Sequence, residues 1–258
     1  MDFGIAGKKA LVTGAGRGIG ESIAINLAKE GVKTAIVSRT ESELKELLTK
    51  IGGQEKGHYM IACDLTKEDA PKKVVTELKE NFGAPDILVN NLGGTLEITD
   101  PFCSLDDWRG IYRMNLEVAI ELNNLVIPSM KDKKWGRIVN ISSISALENH
   151  GAIPYCSTKA ALTAYARSLG RVLAPDGIIV TAVLPGAVFT EKGYWDIASK
   201  ERPEHVKKYL AERMAIHRFG TPDEIGTLVT FLCSEQASFC VGSIVPVDGG
   251  QGRSFFGL

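Results

Sequence analysis

With 30 Lys+Arg against 31 Asp+Glu over 258 residues, the chain has a formal net charge of -1. It therefore offers no basic field for nucleic acid or an anionic membrane surface, and any anion it binds must be held by local groups. No apolar run approaches the ~20 residues of a membrane-spanning helix, and MDFGIAGKKA lacks the cationic start and apolar stretch of a secretion signal. A cytoplasmic protein with neither membrane nor nucleic-acid partners is expected. Its cysteines, Cys63, Cys103, Cys156, Cys233 and Cys240, are odd in number and never spaced as CxxC, which points to reduced thiols and to no metal site.

Along the chain, short Val/Ile-rich runs alternate with longer stretches of helical periodicity. KALVTG, TAIVSR, YMIACD, ILVNN, GRIVNIS, IIVTAVLPG and SIVPVDGG read as buried parallel strands, each ended by a polar residue or glycine. ESIAINLAKEG carries a helix stopped at Gly31, and KAALTAYARSLGRVLAPDG one stopped near Pro175 and Gly177. No repeat, low-complexity linker or composition break divides the chain. The expected fold class is α/β: a single doubly wound Rossmann domain over residues 1–258, with a mostly parallel sheet of about seven strands and helices on both faces. Residues 191–216, polar and helix-prone after the sixth strand, are expected to form a substrate-binding lid, a surface helical pair being the plainer alternative.

The first strand runs into TGAGRGIG, with glycines at 14, 16, 18 and 20 before the first helix. Glycine there lets backbone pass close to a pyrophosphate, although a tight βα connection alone would also use it. At the end of the second strand, where an acid would hydrogen-bond the adenosine ribose hydroxyls of a dinucleotide, stand Ser38 and Arg39. Ser38 removes a repulsion, while Arg39, with Arg17 approaching from the glycine turn, supplies charge for a ribose 2′-phosphate. The expected cofactor is NADP(H). Tyr155 and Lys159 lie at i and i+4, one face of a helix, where an ammonium together with a bound cationic nicotinamide would lower the phenol's pKa toward neutrality. Such pairs also arise by chance. GRIVNISS ends in Ser142 and Ser143, and a hydroxyl at a strand's carboxyl end either donates to a substrate oxygen or caps the next turn; the register stays open.

These segments, in this order, resemble the short-chain dehydrogenase/reductases nearly end to end. TGAGRGIG resembles the family's phosphate turn (Gly14, Arg17, Gly18, Ile19, Gly20), CDL the adenine-side acid (Asp64, Leu65), and NNLGG its NNAG (Asn91, Gly93), with Leu92 in place of alanine. MNL carries Asn115, YCSTK carries Tyr155 and Lys159, and PGAVFT (Pro185, Gly186, Val188, Thr190) resembles the segment that holds the nicotinamide carboxamide. The resemblance implies catalysis by Asn115, Ser143, Tyr155 and Lys159: proton exchange at Tyr155, carbonyl polarisation by Ser143, ribose binding by Lys159, and a water held at Asn115. It implies hydride transfer between NADP(H) and a small-molecule carbonyl or secondary alcohol, in the manner of 3-oxoacyl-carrier-protein reductases. Sugar or polyol oxidation is the alternative, and a non-catalytic NADP-binding sensor a weaker one. It also implies a homotetramer, in which the helices of SLDDWRGIYRMNLEVAIELNNLVIPSM and YCSTKAALTAYARSLGRVLA pair between subunits and Phe255 and Phe256 pack on a neighbour.

Overall fold

A computed structural model describes residues 2–148 and 151–254. Seven strands, β1 (Lys9–Thr13), β2 (Lys33–Ser38), β3 (Tyr59–Ala62), β4 (Ile87–Asn90), β5 (Gly136–Ile141), β6 (Ile178–Pro185) and β7 (Ile244–Val247), form one sheet in the order β3-β2-β1-β4-β5-β6-β7. Every pairing is parallel. The runs are apolar throughout because both faces are covered: every residue of β4, β5 and β6 is buried. The side-chain period of two sorts each strand between two cores. Ala10 and Val12 of β1 face one, with α1 (Gly18–Lys29), α2 (Glu41–Lys50) and α9 (Pro222–Leu232). Leu11 faces the other, with α3 (Ala70–Asn81), α5 (Val118–Lys133) and α6 (Ile153–Leu173).

The strand order reverses between β1 and β4, which opens a crevice at their carboxyl ends. Polar groups lock this point. Thr13 Oγ1 accepts from the backbone N–H groups of Asn91 and Leu92, each at 3.0 Å, and Asn91 Nδ2 donates to the carbonyls of Thr13 and Gly14 at 3.0 Å. Behind it, buried Asn90 donates to Asn123 and Asn140 at 3.0 Å, tying β4 to α5 and β5. Buried amides without such partners would each cost about 1–3 kcal/mol.

The stretch 104–130 departs from a single long helix. Capped by Ser104, α4 (Leu105–Tyr112) runs into a π-helical turn, Arg113–Glu117, before α5 resumes. The 191–216 segment folds as α7 (Tyr194–Glu201) and α8 (Pro203–Arg213). Among the described residues no helix is long and apolar enough to cross a membrane. Phe255 and Phe256 lie outside the described residues.

Candidate active site

At the crevice the turn from β1 to α1 bends sharply. Gly18 has φ 61°, a left-handed conformation costly for any other residue. A Cβ at Gly20 would strike the Gly14 carbonyl oxygen, so only glycine lets the turn close on itself. The turn forms one wall of a cleft of about 370 Å³ at the carboxyl ends of the strands. Into this cleft the fold brings Gly14, Arg17, Gly18, Ile19, Gly20, Asn91, Gly93, Ser143, Tyr155, Lys159, Pro185, Gly186, Val188 and Thr190 together. Ser38, Arg39, Asp64, Leu65 and Asn115 do not line it.

Tyr155 and Lys159 sit one turn apart near the start of α6, with the Lys159 ammonium nitrogen 5.6 Å from the Tyr155 ring centre. The Ser143 hydroxyl lies close enough to the phenol to pull its pKa down. Ser143 also accepts from Ser145 N–H at 3.1 Å, capping the short turn that follows β5, so one hydroxyl serves the turn and the cleft together. Ser142 points the other way. Its buried Oγ donates to the Lys159 carbonyl at 2.9 Å and accepts from Thr163 at 2.8 Å, which fastens the end of β5 to α6.

Lys159 is 3% exposed and donates to the Ile141 carbonyl at 2.9 Å. Burial lowers its pKa to about 7. For Tyr155 the expectation included a bound cationic nicotinamide; in the protein alone burial pushes its pKa up, the Ser143 hydroxyl pulling only partly against it. The protein's own groups alone thus leave a neutral phenol beside a half-charged lysine. A lysine whose folded pKa is depressed is less protonated in the folded than in the unfolded chain, from about pH 7 up to its ordinary value. This group therefore makes stability rise with pH through that window. Lys159→Met should remove the rise: its advantage over wild type in urea unfolding should shrink by about 1.4 kcal/mol per pH unit from pH 7 to 9. A constant difference across that range would contradict the assignment.

Asn115 lies in the π-helical turn, 1% exposed. Its amide donates to the carbonyls of Gly94 and Ile111 at 2.9 and 3.0 Å, and its Oδ1 accepts from Gly94 N–H at 3.0 Å. A Cβ on Gly93 would stand 2.7 Å from Asn115 Oδ1 and 2.8 Å from Lys159 Nζ, so Asn115 holds this strand-end loop against the lysine.

At the far end, Ser38 Oγ is buried without a hydrogen-bond partner, an orphan that a bound hydroxyl or phosphate would satisfy. Arg17 is not yet one jaw of a clamp: its Nη1 donates to the Lys192 carbonyl at 3.4 Å, laying the 191–216 segment over the glycine turn. Arg39 has no hydrogen bond or ion pair among the described residues, and its charge acts on Asp64. Burial pushes that carboxyl up, but hydrogen bonds from Thr66 and the charges of Arg39 and Lys67 hold it below its ordinary value. Leu65 is buried in the core beneath. The glycine cradle, the orphan hydroxyl and the free guanidinium fit a phosphorylated dinucleotide.

Sequence reasoning missed Trp195. It lines the cleft from α7, its ring held at 4.3 Å from Tyr209 and 4.9 Å from both Tyr194 and Phe219. Tyr209 accepts from Gln251 at 2.9 Å, and Gln251 accepts from Ala187 N–H at 2.8 Å, which fixes the aromatic wall to the segment after β6. The aromatic pair Tyr194–Trp195 inside an otherwise polar stretch was the available sign. The basic residues of 191–216 face outward, with Lys200 paired to Asp196 at 2.7 Å and Lys208 to Glu212 at 3.9 Å.

A parallel sheet with a glycine cradle at its switch point, and a phenol, hydroxyl and buried lysine converging beside it, defines a nicotinamide-linked oxidoreductase of the Rossmann type. The family model described as enoyl-(acyl carrier protein) reductase matches residues 14–251. The 3-oxoacyl-[acyl-carrier-protein] reductase FabG of Aquifex aeolicus (strain VF5) is 36% identical over 257 residues, covering 97% of this chain and 100% of that protein. The short-chain reductase NovJ of Streptomyces niveus is 33% identical, covering 94% and 93%. Among solved structures, L-sorbose reductase from Gluconobacter frateurii, complexed with NADPH and L-sorbose, superposes with a TM-score of 0.91 at 31% identity, covering 99% of this chain and 100% of that one. The chain belongs to the short-chain dehydrogenase/reductase family.

Proposed function

We propose that the chain is an NADPH-dependent reductase of ketones, acting on 3-oxoacyl or related carbonyl substrates. The observation that carries this reading is the convergence of Ser143, Tyr155 and Lys159 on one cleft floored by the glycine turn. When bound, the nicotinamide supplies the hydride, and the protein contributes position and a proton. Gly14, Arg17, Gly18, Ile19 and Gly20 hold the pyrophosphate. Ser38 and Arg39 hold the 2′-phosphate, Asp64 and Leu65 the adenine, and Asn91 and Gly93 the middle of the cofactor. Pro185, Gly186, Val188 and Thr190 hold the nicotinamide end. Ser143 donates to the substrate carbonyl oxygen and orients it toward the phenol. Tyr155 would give its proton to the carbonyl oxygen, completing reduction to a secondary alcohol with the hydride the bound nicotinamide would supply. Lys159 binds the ribose and, recharged, stabilises the phenolate left behind. Asn115 keeps the Gly93–Gly94 backbone against Lys159, where a water linking it to solvent is held.

Residues 191–216 act as a lid, with Trp195 as its inner face, on a chain that we read as one domain. The likeness to a sugar reductase favours polyol or ketose chemistry as the second reading. A panel of 3-oxoacyl thioesters, 2-enoyl thioesters, ketoses and polyols, followed by nicotinamide absorbance, decides between them. Turnover of 3-oxoacyl thioesters well above ketoses is expected; tight NADPH binding with no turnover of any would overturn the enzymatic reading.

We place the protein in the cytoplasm, in keeping with cysteines that form no disulfide among the described residues. A homotetramer is proposed too. Along α6, Leu162 belongs to the chain's own core, while Ala161, Tyr165 and Leu169 are only half-buried. Val172 and Phe239 are 68% and 98% exposed, which leaves apolar surface for a neighbour to cover. Light scattering at micromolar concentration should give a mass near four protomers, and a monomeric mass would refute the assembly.

A further inference from the structure

Beside the glycine turn stands a carboxylate that the mechanism above leaves unused. Glu43 lies in the first turn of α2, half-buried. A Cβ built on Gly16 would stand 2.5 Å from its Oε2 and 2.9 Å from Ser38 Oγ, so the carboxylate and the orphaned serine hydroxyl face the same gap. Most acids on this helix have a visible reason to be there. Glu41 pairs with Lys45 at 2.8 Å, and the exposed Glu46 lends its charge to Lys50. Glu43 has no hydrogen bond or ion pair among the described residues, and its aliphatic stem turns it inward, with Cβ 3.4 Å from the same point beside Gly16. The helix N-terminus favours a carboxylate in this first turn, and the backbone aims this one at the glycine turn.

What the gap would admit follows from its chemistry. It is rimmed by a carboxylate that only accepts and a serine hydroxyl that both donates and accepts, and Arg39 stands one residue beyond. A vicinal diol matches this set, because its hydroxyls donate to the carboxylate. A phosphate there would meet Ser38 and Arg39 favourably and Glu43 unfavourably. One cation, Arg39, and two carboxylates, Glu43 and Asp64, lie at this end of the site, so its charges oppose one another instead of summing to a strong anion trap.

We propose that Glu43 is a specificity-determining residue for the adenosine ribose: it accepts from free ribose hydroxyls and repels a 2′-phosphate. It thereby narrows the preference for NADPH over NADH that Ser38 and Arg39 create. The proposal rests on the cofactor reading above. Glu43 thus confers some tolerance of the unphosphorylated cofactor on a site otherwise built for the phosphorylated one.

The test is direct binding to the substrate-free protein by calorimetry, independent of turnover. Glu43→Gln, which keeps shape and loses charge, should tighten NADPH about tenfold, the scale of one partly screened charge contact, and weaken NADH severalfold. The NADPH gain should fall when salt is raised from 50 to 500 mM. Glu46→Gln, which removes an exposed charge from the same helix, should change neither constant by more than about twofold. Equal shifts of both cofactors in Glu43→Gln, or none, would overturn the role of Glu43 alone. Wild-type protein that binds neither dinucleotide would overturn the cofactor reading and this inference with it.

Discussion

Tyr155→Phe should lower turnover on the identified substrate by ~10²–10⁴ or more, the contribution that a positioned general acid supplies, while leaving cofactor affinity within about threefold. The substitution removes one oxygen from a ring that the surrounding residues already hold, so the fold should survive. Comparison of the two serines sharpens the expectation. Ser143 lines the cleft beside the phenol, so Ser143→Ala should cut kcat strongly with little loss of stability. Ser142 is buried and bonded to Lys159 O and Thr163, so Ser142→Ala should cost about 1–3 kcal/mol in unfolding and reduce activity only as α6 shifts. Near-normal turnover in Tyr155→Phe would show that the proton comes from elsewhere. A stronger kinetic effect at Ser142 than at Ser143 would move the carbonyl donor by one residue.

The double variant Ser38→Asp, Arg39→Ala should weaken NADPH by well over tenfold, since each charged contact to phosphate is worth about 1.5–3 kcal/mol. It should leave NADH unharmed or improved, because the new carboxylate accepts from free ribose hydroxyls. Ser38 Oγ is buried and unpartnered at the end of β2, so the introduced carboxylate enters the place a ligand would use and does not displace an existing bond. Measured as kcat/KM with each cofactor, the ratio should invert. A wild-type enzyme that works better with NADH than with NADPH would refute the assignment before any substitution was made.

Much of this architecture was legible because parallel strands covered on both faces must be apolar along their whole length, and IIVTAVLP, the most buried of them, reads that way at once. The Tyr155–Lys159 spacing was equally readable, since helical geometry alone places them on one face. Other features depend on direction and depth, which residue identity does not carry. Ser142 and Ser143 are chemically identical neighbours, and only the alternation at the end of β5 sends one into the helix and the other into the cleft. A lowered tyrosine pKa was read from Lys159 and a bound cationic nicotinamide together; in the protein alone burial raises it, and burial is a property of the assembled fold. Arg17 and Arg39 were expected to act together, but Arg17 spans to the Lys192 carbonyl while the charge of Arg39 bears on Asp64. Trp195 reaches the cleft only because α7 folds back over it.

The π-helical turn at Arg113–Glu117 sets a rule about chain length. Such a turn holds an extra residue in the helix, and each residue of an α-helix accounts for about 100° of rotation. Losing one residue there would let α4 and α5 merge into a continuous α-helix with every hydrogen bond intact. It would also swing whatever precedes the join by roughly a quarter-turn and more relative to α5. Asn115 would then face away from Gly94, though no side chain had been altered. Function at this position is therefore sensitive to counting more than to chemistry. Sister chains that keep this site should hold the interval from Ser104 to α5 fixed, and should absorb their insertions in the surface loop ahead of Ser104.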